Sequence, residues 1–540
     1  MFRTLATVLF VTLIGILSVG AQDETTPIPV TTEVVQQAFV NQDGIQFTFN
    51  AELADTVPIA SDRCAERITP DMLVAYAAYI DASREAYRIP GAAVAIVCDG
   101  EIVWTEGFGV KNLQTGGEIN ADTLFGLGSI TKPMTAIMIA TLVEDGYMDW
   151  DAPISTYLPD FVHDEMTLRM MLSHTTGMPG TDLPLFGISD PEAMMDFIGN
   201  IEPTSEPGAA YTYQNQVFAT AAYAAVLAED SQENNPTDTY RYLMQSRVFD
   251  PAGMTTATFR VENANRGNHA TPYQHIITQD MVTTGGNLRP INYEPAGSEE
   301  PVGGVLASAN DMGAFMLTML NGGQGVTGER VVDAGTLAEM WQPVYDFTNL
   351  PPHMDTYSAA LGWELLTFNG VDTVTHTGQA HGSTATMIII PDDGIGIAVM
   401  ANTNNSGDFV QGAQWHLVEM LYEMDSTLGA MYTEKHTAEQ QMIAGVLAPM
   451  PMTVELDSVQ SYLGTYELAG LNAEPYALVW ENDGLYLRRG QAVDFPLISA
   501  GDSTYMVTTL FTGVPVTLST VDGVPHMNLG GMLDLTKAIN

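Results

Sequence analysis

Basic side chains are scarce. The 540 residues hold 18 lysines and arginines against 65 aspartates and glutamates, a formal net charge of −47, and only Lys111, Lys132, Lys435 and Lys537 are lysines. Such a balance excludes a nucleic-acid binder, which needs a basic face, and disfavours an anionic membrane surface. Cysteine is nearly absent as well. Cys64 and Cys98 lie in no Cys-x-x-Cys pair and have no histidine at metal-ligand spacing, so neither is assigned a catalytic or metal role. One disulfide and two buried thiols are both compatible with that count. Long apolar runs are missing too, apart from Leu5–Leu17, which is too short for a comfortable membrane span. Disorder is excluded by composition, with 46% hydrophobic and 15% charged residues. No internal repeat or low-complexity tract interrupts the chain.

The apolar run follows Met1-Phe2-Arg3 and ends in Ser18-Val19-Gly20-Ala21, the order of a signal peptide with its small-residue cleavage site. The expectation is a signal peptide over 1–21, and a mature chain secreted or otherwise placed outside the cytoplasm. Residues 22–67 read as an N-terminal extension, polar and Pro/Thr-rich, with one strand-like stretch at 45–49. A helical pattern then runs from Thr69 to about Tyr87. Asp99-Gly100 between the apolar runs Ala92–Cys98 and Ile102–Gly107 predicts a hairpin. A mostly helical middle extends from about Ser129 to Leu320. Short apolar strands return at Leu361–Leu366, Thr373–His376, Ala385–Ile390 and Ile395–Ala401, and a helix over Asp408–Tyr422 closes the unit at about residue 428. Residues 429–453 read as a linker. The last segment, 454–540, alternates short strands with turn signals such as Asn482-Asp483-Gly484, the pattern of a small all-β barrel.

Three motifs carry candidate chemistry. In Ser129-Ile130-Thr131-Lys132, Pro133 suits a first helical turn, and residues three apart share a helix face. The Lys132 amine can therefore reach the Ser129 hydroxyl, and helix-terminal N–H groups can meet a developing oxyanion. Alone the motif is weak, because a helix-capping serine beside a solvated lysine gives the same letters; the scarcity of lysine makes it more telling. Tyr213-Gln214-Asn215 can supply a phenol to carry a proton and an amide to hold the lysine and a substrate carbonyl. In His376-Thr377-Gly378-Gln379, a strand ending in Thr-Gly lets a substrate backbone come close.

In this order and at these separations the motifs resemble those of serine β-lactamases and penicillin-binding proteins. Further segments strengthen the resemblance to the class C β-lactamase-related hydrolases. Met171-Leu172-Ser173-His174-Thr175-Thr176-Gly177-Met178-Pro179 is similar to their "LLSHTSGLP" segment. Phe249-Asp250-Pro251-Ala252-Gly253-Met254 is similar to a "PLGM" turn, and Gly303–Met312 to "GGLxSTxxDM"; Leu361-Gly362-Trp363 also matches. The likeness covers roughly residues 70–425. Tyr462-Leu463-Gly464-Thr465-Tyr466 resembles the start of the lipocalin-like domain that often follows such hydrolases.

The resemblance implies an α+β fold, with an antiparallel sheet flanked by helices, a mainly helical subdomain in residues 68–428 and a β-barrel after it. It implies a serine hydrolase working through an acyl-serine on an ester or a peptide, with D-residue-containing peptides among the candidates and no cofactor or metal. Ser129 would be the nucleophile, with Lys132 and Tyr213 sharing the acid–base work. Asn215 would orient Lys132 and the substrate, and the oxyanion would meet the backbone N–H groups of Ser129 and Gln379. His376 stands where β-lactamases usually carry lysine, which turns the expectation from β-lactams towards esters and peptides. The rivals are a β-lactamase or D,D-peptidase, and a catalytically silent binding protein on the same fold. His174 is expected to pack behind the site, and His381 is a candidate substrate contact. The expected partner is a small-molecule substrate, with no nucleic acid and no membrane insertion after signal cleavage.

Overall fold

The computed structural model describes residues 67–180, 188–229, 235–276, 287–350, 353–404, 406–447, 453–467, 475–489, 493–501, 503–507, 515–530 and 533–538. The expected signal peptide over 1–21, nearly all of the expected 22–67 extension and Cys64 lie outside the described residues. Cys98 is buried on a central strand and is not a free thiol.

A nine-stranded antiparallel sheet organises the first part of the chain. Its strands are β1 (Gly91–Cys98), β2 (Glu101–Asn112), β3 (Gly116–Glu118), β8 (Tyr345–Asp346), β9 (Met354–Ala359), β10 (Glu364–Phe368), β11 (Val371–Ala380), β12 (Ser383–Ile390) and β13 (Ile395–Ala401), in the order β3-β2-β1-β13-β12-β11-β10-β9-β8. The chain leaves the sheet and returns, so β1 pairs with β13 across some 300 residues, Ala92 facing Ala401. Central strands β1, β12 and β13 are buried along their whole length, which explains their unbroken apolar runs. The β1–β2 turn forms at Asp99 and Gly100, both with positive φ, as a tight hairpin turn requires.

Each sheet face carries its own core. On one face pack α1 (Pro70–Ala86), α7 (Gly407–Leu421) and α8 (Leu428–Leu447), burying Ile80, Ile96, Ile397, Phe409 and Trp415. On the other lies the helical part, with α2 (Thr131–Glu144), α3 (Asn215–Glu229), α4 (Pro236–Met244), the short α5 (Glu300–Gly303) and α6 (Ala309–Leu320). Helix α2 is buried on every side from Thr131 to Leu142. An all-round apolar helix of that kind belongs inside a large core. Two small pairs, β4 (Phe125–Gly126) with β7 (Leu306–Ala307) and β5 (Tyr273–Ile276) with β6 (Asn287–Pro290), lie beside the sheet.

Most of the stretch expected as a linker, 429–453, is taken up by α8, which runs from Leu428 to Leu447. Leu428 is fully buried, and the Lys435 ammonium donates to Asp408 on α7 at 2.7 Å. No proline occurs there before Pro449, so nothing in the covalent chain stops the helix earlier.

The last segment is a closed eight-stranded antiparallel barrel: β14 (Gly464–Glu467), β15 (Tyr476–Glu481), β16 (Gly484–Arg489), β17 (Val493–Gly501), β18 (Thr504–Val507), β19 (Pro515–Val521), β20 (Val524–Leu529) and β21 (Leu533–Lys537). Pairing of β14 with β21 closes the ring, so the barrel has no free sheet edge. Leu478, Leu487, Leu497, Leu518 and Met527 alternate inward to fill it.

Candidate active site

The three motifs meet where the free edge of β11 passes the start of α2. Strand β10 covers only Val371–Thr375 of β11. From His376 onwards that edge faces a 3₁₀ turn, Gly128–Ile130, which leads into α2. Two glycines permit the approach. Gly128 has φ 54°, and a Cβ there would fall 2.5 Å from the backbone of Gln379. A Cβ on Gly378 would fall 1.9 Å from the Leu127 carbonyl oxygen and 3.0 Å from the Ser129 amide nitrogen. The 2.5 and 1.9 Å separations are far below van der Waals contact, so only hydrogen fits at either glycine, and the Ser129 and Gln379 backbones come together.

Ser129 sits half-buried on the 3₁₀ turn, and Lys132 follows in the first turn of α2, wholly buried. Lys132 Nζ lies 3.0 Å from Ser129 Oγ, 2.6 Å from Asn215 Oδ1 and 3.3 Å from the Val302 carbonyl oxygen. Asn215 begins α3, and Val302 belongs to α5. The Tyr213 hydroxyl donates to Ser129 Oγ at 2.7 Å. Lys132 Nζ also stands 4.6 Å from the centre of the Tyr213 ring, a cation–π distance. One hydroxyl thus has a lysine amine and a phenol within hydrogen-bond reach, the constellation of an activated nucleophile with two proton carriers.

Val302 was not anticipated from sequence, because a backbone carbonyl has no residue signature. Its place is secured by neighbours that do. Arg241 on α4 grips Glu300 with both arms, one bond at 2.7 Å and the second to Oε1. Gln216, next to Asn215, bonds Glu299, and Thr135 on α2 donates to the Pro301 carbonyl at 2.7 Å. Burial pushes the Glu300 carboxyl up, while Arg241 pulls it down.

His376 is buried, at 4% exposure. Its Nδ1 lies 2.6 Å from the Thr377 carbonyl oxygen, so Nδ1 carries the proton. Burial and the nearby Lys132 charge lower its pKa to about 3, which keeps the ring neutral. Thr377 is half-buried and Gln379 is exposed at the mouth.

His174 lies directly behind the site. Its ring stacks obliquely on Tyr213 at 4.4 Å, and its Nδ1 accepts from the Gln214 amide at 3.2 Å. Burial first, then Lys132 and His376, lower its pKa well below the ordinary value. The backbone at His174 is left-handed, φ 61°, a conformation that the surrounding packing must sustain. His381, two residues past Gln379, faces the barrel: its ring centre is 6.0 Å from that of Phe495 on β17.

The family model described as Beta-lactamase matches residues 76–419. The chain is 25% identical over 366 residues to "Unguisins hydrolase ungD" of Aspergillus violaceofuscus, covering 61% of this chain and 62% of that protein. It is 26% identical over 339 residues to "Penicillin-binding protein 4" of Amycolatopsis lactamdurans, covering 60% and 83% respectively. The chain therefore spans a little under two thirds of the length of the Aspergillus relative. Among solved structures, the octameric penicillin-binding protein homologue from Pyrococcus abyssi aligns with a TM-score of 0.55 at 19% identity, over 86% of this chain and 100% of that one. Among the described residues no helix is long and apolar enough to cross a membrane.

Proposed function

The chain belongs to the beta-lactamase family, and from that premise we propose that it is a secreted serine hydrolase that cleaves an ester or peptide through an acyl-serine intermediate. The observation that carries the reading is the convergence of Lys132 Nζ and the Tyr213 hydroxyl on Ser129 Oγ, at 3.0 and 2.7 Å. Asn215 Oδ1 and the Val302 carbonyl can only accept, so they hold two hydrogens of the Lys132 amine. Its third direction points at Ser129. In the neutral amine that direction holds the lone pair, and the hydroxyl proton of Ser129 passes to it as Oγ attacks the substrate carbonyl. The oxyanion so formed lies between the Ser129 and Gln379 amides. Tyr213 delivers a proton to the leaving alcohol or amine as the tetrahedral species collapses to acyl-Ser129. Water then adds to the acyl carbonyl as the Tyr213 phenolate takes its proton, and Ser129 leaves with its hydroxyl restored by the proton held on Lys132.

A neutral His376 favours esters and peptides over substrates held by a carboxylate, because it brings no charge to that end of the site. The rival β-lactamase or D,D-peptidase reading draws on relatives such as the Amycolatopsis protein and needs a cation there. The silent-binder reading predicts a broken constellation, whereas Ser129, Lys132 and Tyr213 are all present and bonded. Secretion rests on the Leu5–Leu17 run with its small-residue flank. The barrel is read as lipocalin-like on its eight-stranded closure and its Tyr462–Tyr466 segment.

The test is a hydrolysis panel of p-nitrophenyl esters, D- and L-aminoacyl amides and nitrocefin, with Ser129→Ala as the blank. Turnover of esters or amides, lost in the blank, is expected. Rapid nitrocefin turnover with inert esters and amides would favour the β-lactamase, and no turnover at all would favour the binding protein.

A further inference from the structure

His174 takes part in none of the steps above, yet it holds an unfavourable backbone beside them. The short helix Leu168–Leu172 ends on Ser173, and the chain turns back through His174. There the His174 amide bonds the Met171 carbonyl at 3.5 Å and the Thr175 amide bonds the Met170 carbonyl at 2.9 Å. In this kind of helix ending the left-handed residue is usually glycine, because a Cβ crowds the following carbonyl. Here it is a histidine with φ 61°. A side chain kept at a strained position points to a task for that side chain.

Backbone and side chain of His174 act on the same three residues. Its carbonyl accepts the Thr212 amide at 2.9 Å, and its Nδ1 accepts the Gln214 amide at 3.2 Å. Tyr213 lies between those two, so one residue pins the chain on both sides of the phenol. The His174 ring also lies against the Tyr213 ring at 4.4 Å. Gln214 is fully buried and directly precedes α3, where backbone N–H groups have no preceding helical turn to bond. Its amide therefore needs an acceptor from elsewhere, and Nδ1 is that acceptor. Other bonds hold the loop further out: the Gly208 amide meets the Thr175 carbonyl at 2.6 Å, and the Thr204 amide meets the Gly177 carbonyl at 2.8 Å. Burial and the Lys132 charge keep the His174 ring neutral, so Nδ1 retains its lone pair.

We infer that His174 is the positioning residue of Tyr213: by taking the amides on either side, it aims the phenol hydroxyl at Ser129 Oγ. A phenol reaches far from its backbone, so a small tilt of the peptide moves the hydroxyl by much more. The catalytic consequence rests on the hydrolase reading; the anchoring of the loop does not. Two variants set positioning against plain packing. His174→Phe keeps a ring against Tyr213 and loses the acceptor. His174→Asn loses the ring, tolerates the left-handed backbone and keeps an acceptor near the place of Nδ1. Packing favours Phe, and positioning favours Asn. If His174→Phe does not fold, His174→Gly, which suits the backbone and also lacks the acceptor, replaces it.

The first measurement needs no turnover. Hydrogen exchange of the full chain is read at single amides by mass spectrometry with fragmentation. The Gln214 amide is expected to exchange at least about tenfold faster in His174→Phe than in wild type or His174→Asn. Equal exchange in His174→Phe and wild type would overturn the anchoring. The second compares kcat/KM for the ethyl and p-nitrophenyl esters of one acid, since ethoxide needs a proton donor to leave and p-nitrophenolate does not. His174→Phe is expected to lose about a hundredfold on the ethyl ester and much less on the p-nitrophenyl ester, with His174→Asn within about tenfold of wild type on both. Adding His174→Phe to Tyr213→Phe is expected to cost nothing more. Equal losses on the two esters, losses that multiply in the combined variant, or His174→Phe outperforming His174→Asn would overturn the positioning role. A wild type inert towards both esters, or an ethyl ester untouched by Tyr213→Phe, would instead count against the hydrolase reading, and Gln214 exchange alone would then decide the anchoring.

Discussion

Lys132 Nζ lies 3.0 Å from Ser129 Oγ, and the Asn215 Oδ1 and Val302 carbonyl oxygen that it also meets can only accept hydrogen bonds. That relationship sets the protonation logic of the site. Whatever removes the Val302 carbonyl from its place frees one lysine hydrogen and turns the amine away from Ser129.

Arg241 is accordingly a positioning residue. Arg241→Gln leaves the Glu300 carboxyl buried without its partner, while the exposed third of the guanidinium softens the loss. The expected cost is about 2 kcal/mol of stability. In protein that remains folded, kcat is expected to fall while KM holds, with partial rescue by Arg241→Lys. A KM change with kcat intact would point to a role in binding instead.

Gly378→Ala tests the approach of β11 to the 3₁₀ turn. A Cβ 1.9 Å from the Leu127 carbonyl oxygen must push the strand away and separate the Ser129 and Gln379 amides. A shift of about 1 Å in such a site costs on the order of a hundredfold in kcat. Steady-state kinetics with a p-nitrophenyl ester checks it, and circular dichroism confirms that the sheet persists.

These two sites differ in how readable they were. Ser129, Lys132, Tyr213, Asn215 and His376 stand out because the proposed chemistry is carried by their side chains and their spacing repeats a known order. Val302 acts through its backbone, and Arg241 and Glu300 act through Val302, so neither leaves a pattern in the letters. The same division holds for the fold. Strand β13 was expected over Ile395–Ala401 and is found there, because a fully buried strand reads as one apolar run. Strand β11 was expected only as Thr373–His376 but runs from Val371 to Ala380, because its second half faces the active site and carries polar residues. Helix α8 was missed because its apolar face is broken by charged and polar residues that bond to α7. In the barrel, strands β17 and β20 are hard to read because Pro496 and Pro525 interrupt them, and β21 because it is only five residues long.

Acid stability follows from His376. The folded protein holds its pKa at about 3 against an ordinary 6.5, so the ring stays neutral when folded but binds a proton when unfolded. Its stabilising contribution is complete above pH 6.5 and is lost as pH falls towards 3, by up to about 1.4 kcal/mol per pH unit. His174 shifts in the same direction. Urea unfolding of His376→Gln is expected to show a shallower loss of stability than wild type between pH 6.5 and 4. Parallel profiles would contradict the buried neutral ring.

The net charge of −47 repels anionic substrates at low ionic strength. For a carboxylate-bearing ester, kcat/KM is expected to rise with added salt, whereas a neutral ester responds little. A flat response for both would remove the long-range field from the account.

The central claim is that Ser129 is a nucleophile activated by Lys132 and Tyr213. Its most direct test is intact-protein mass spectrometry after treatment with a fluorophosphonate, with peptide mapping of the adduct. The account predicts one adduct, on Ser129, absent in Ser129→Ala and formed far more slowly in Lys132→Met. An unlabelled wild-type protein, or an adduct that persists in Ser129→Ala, would contradict it.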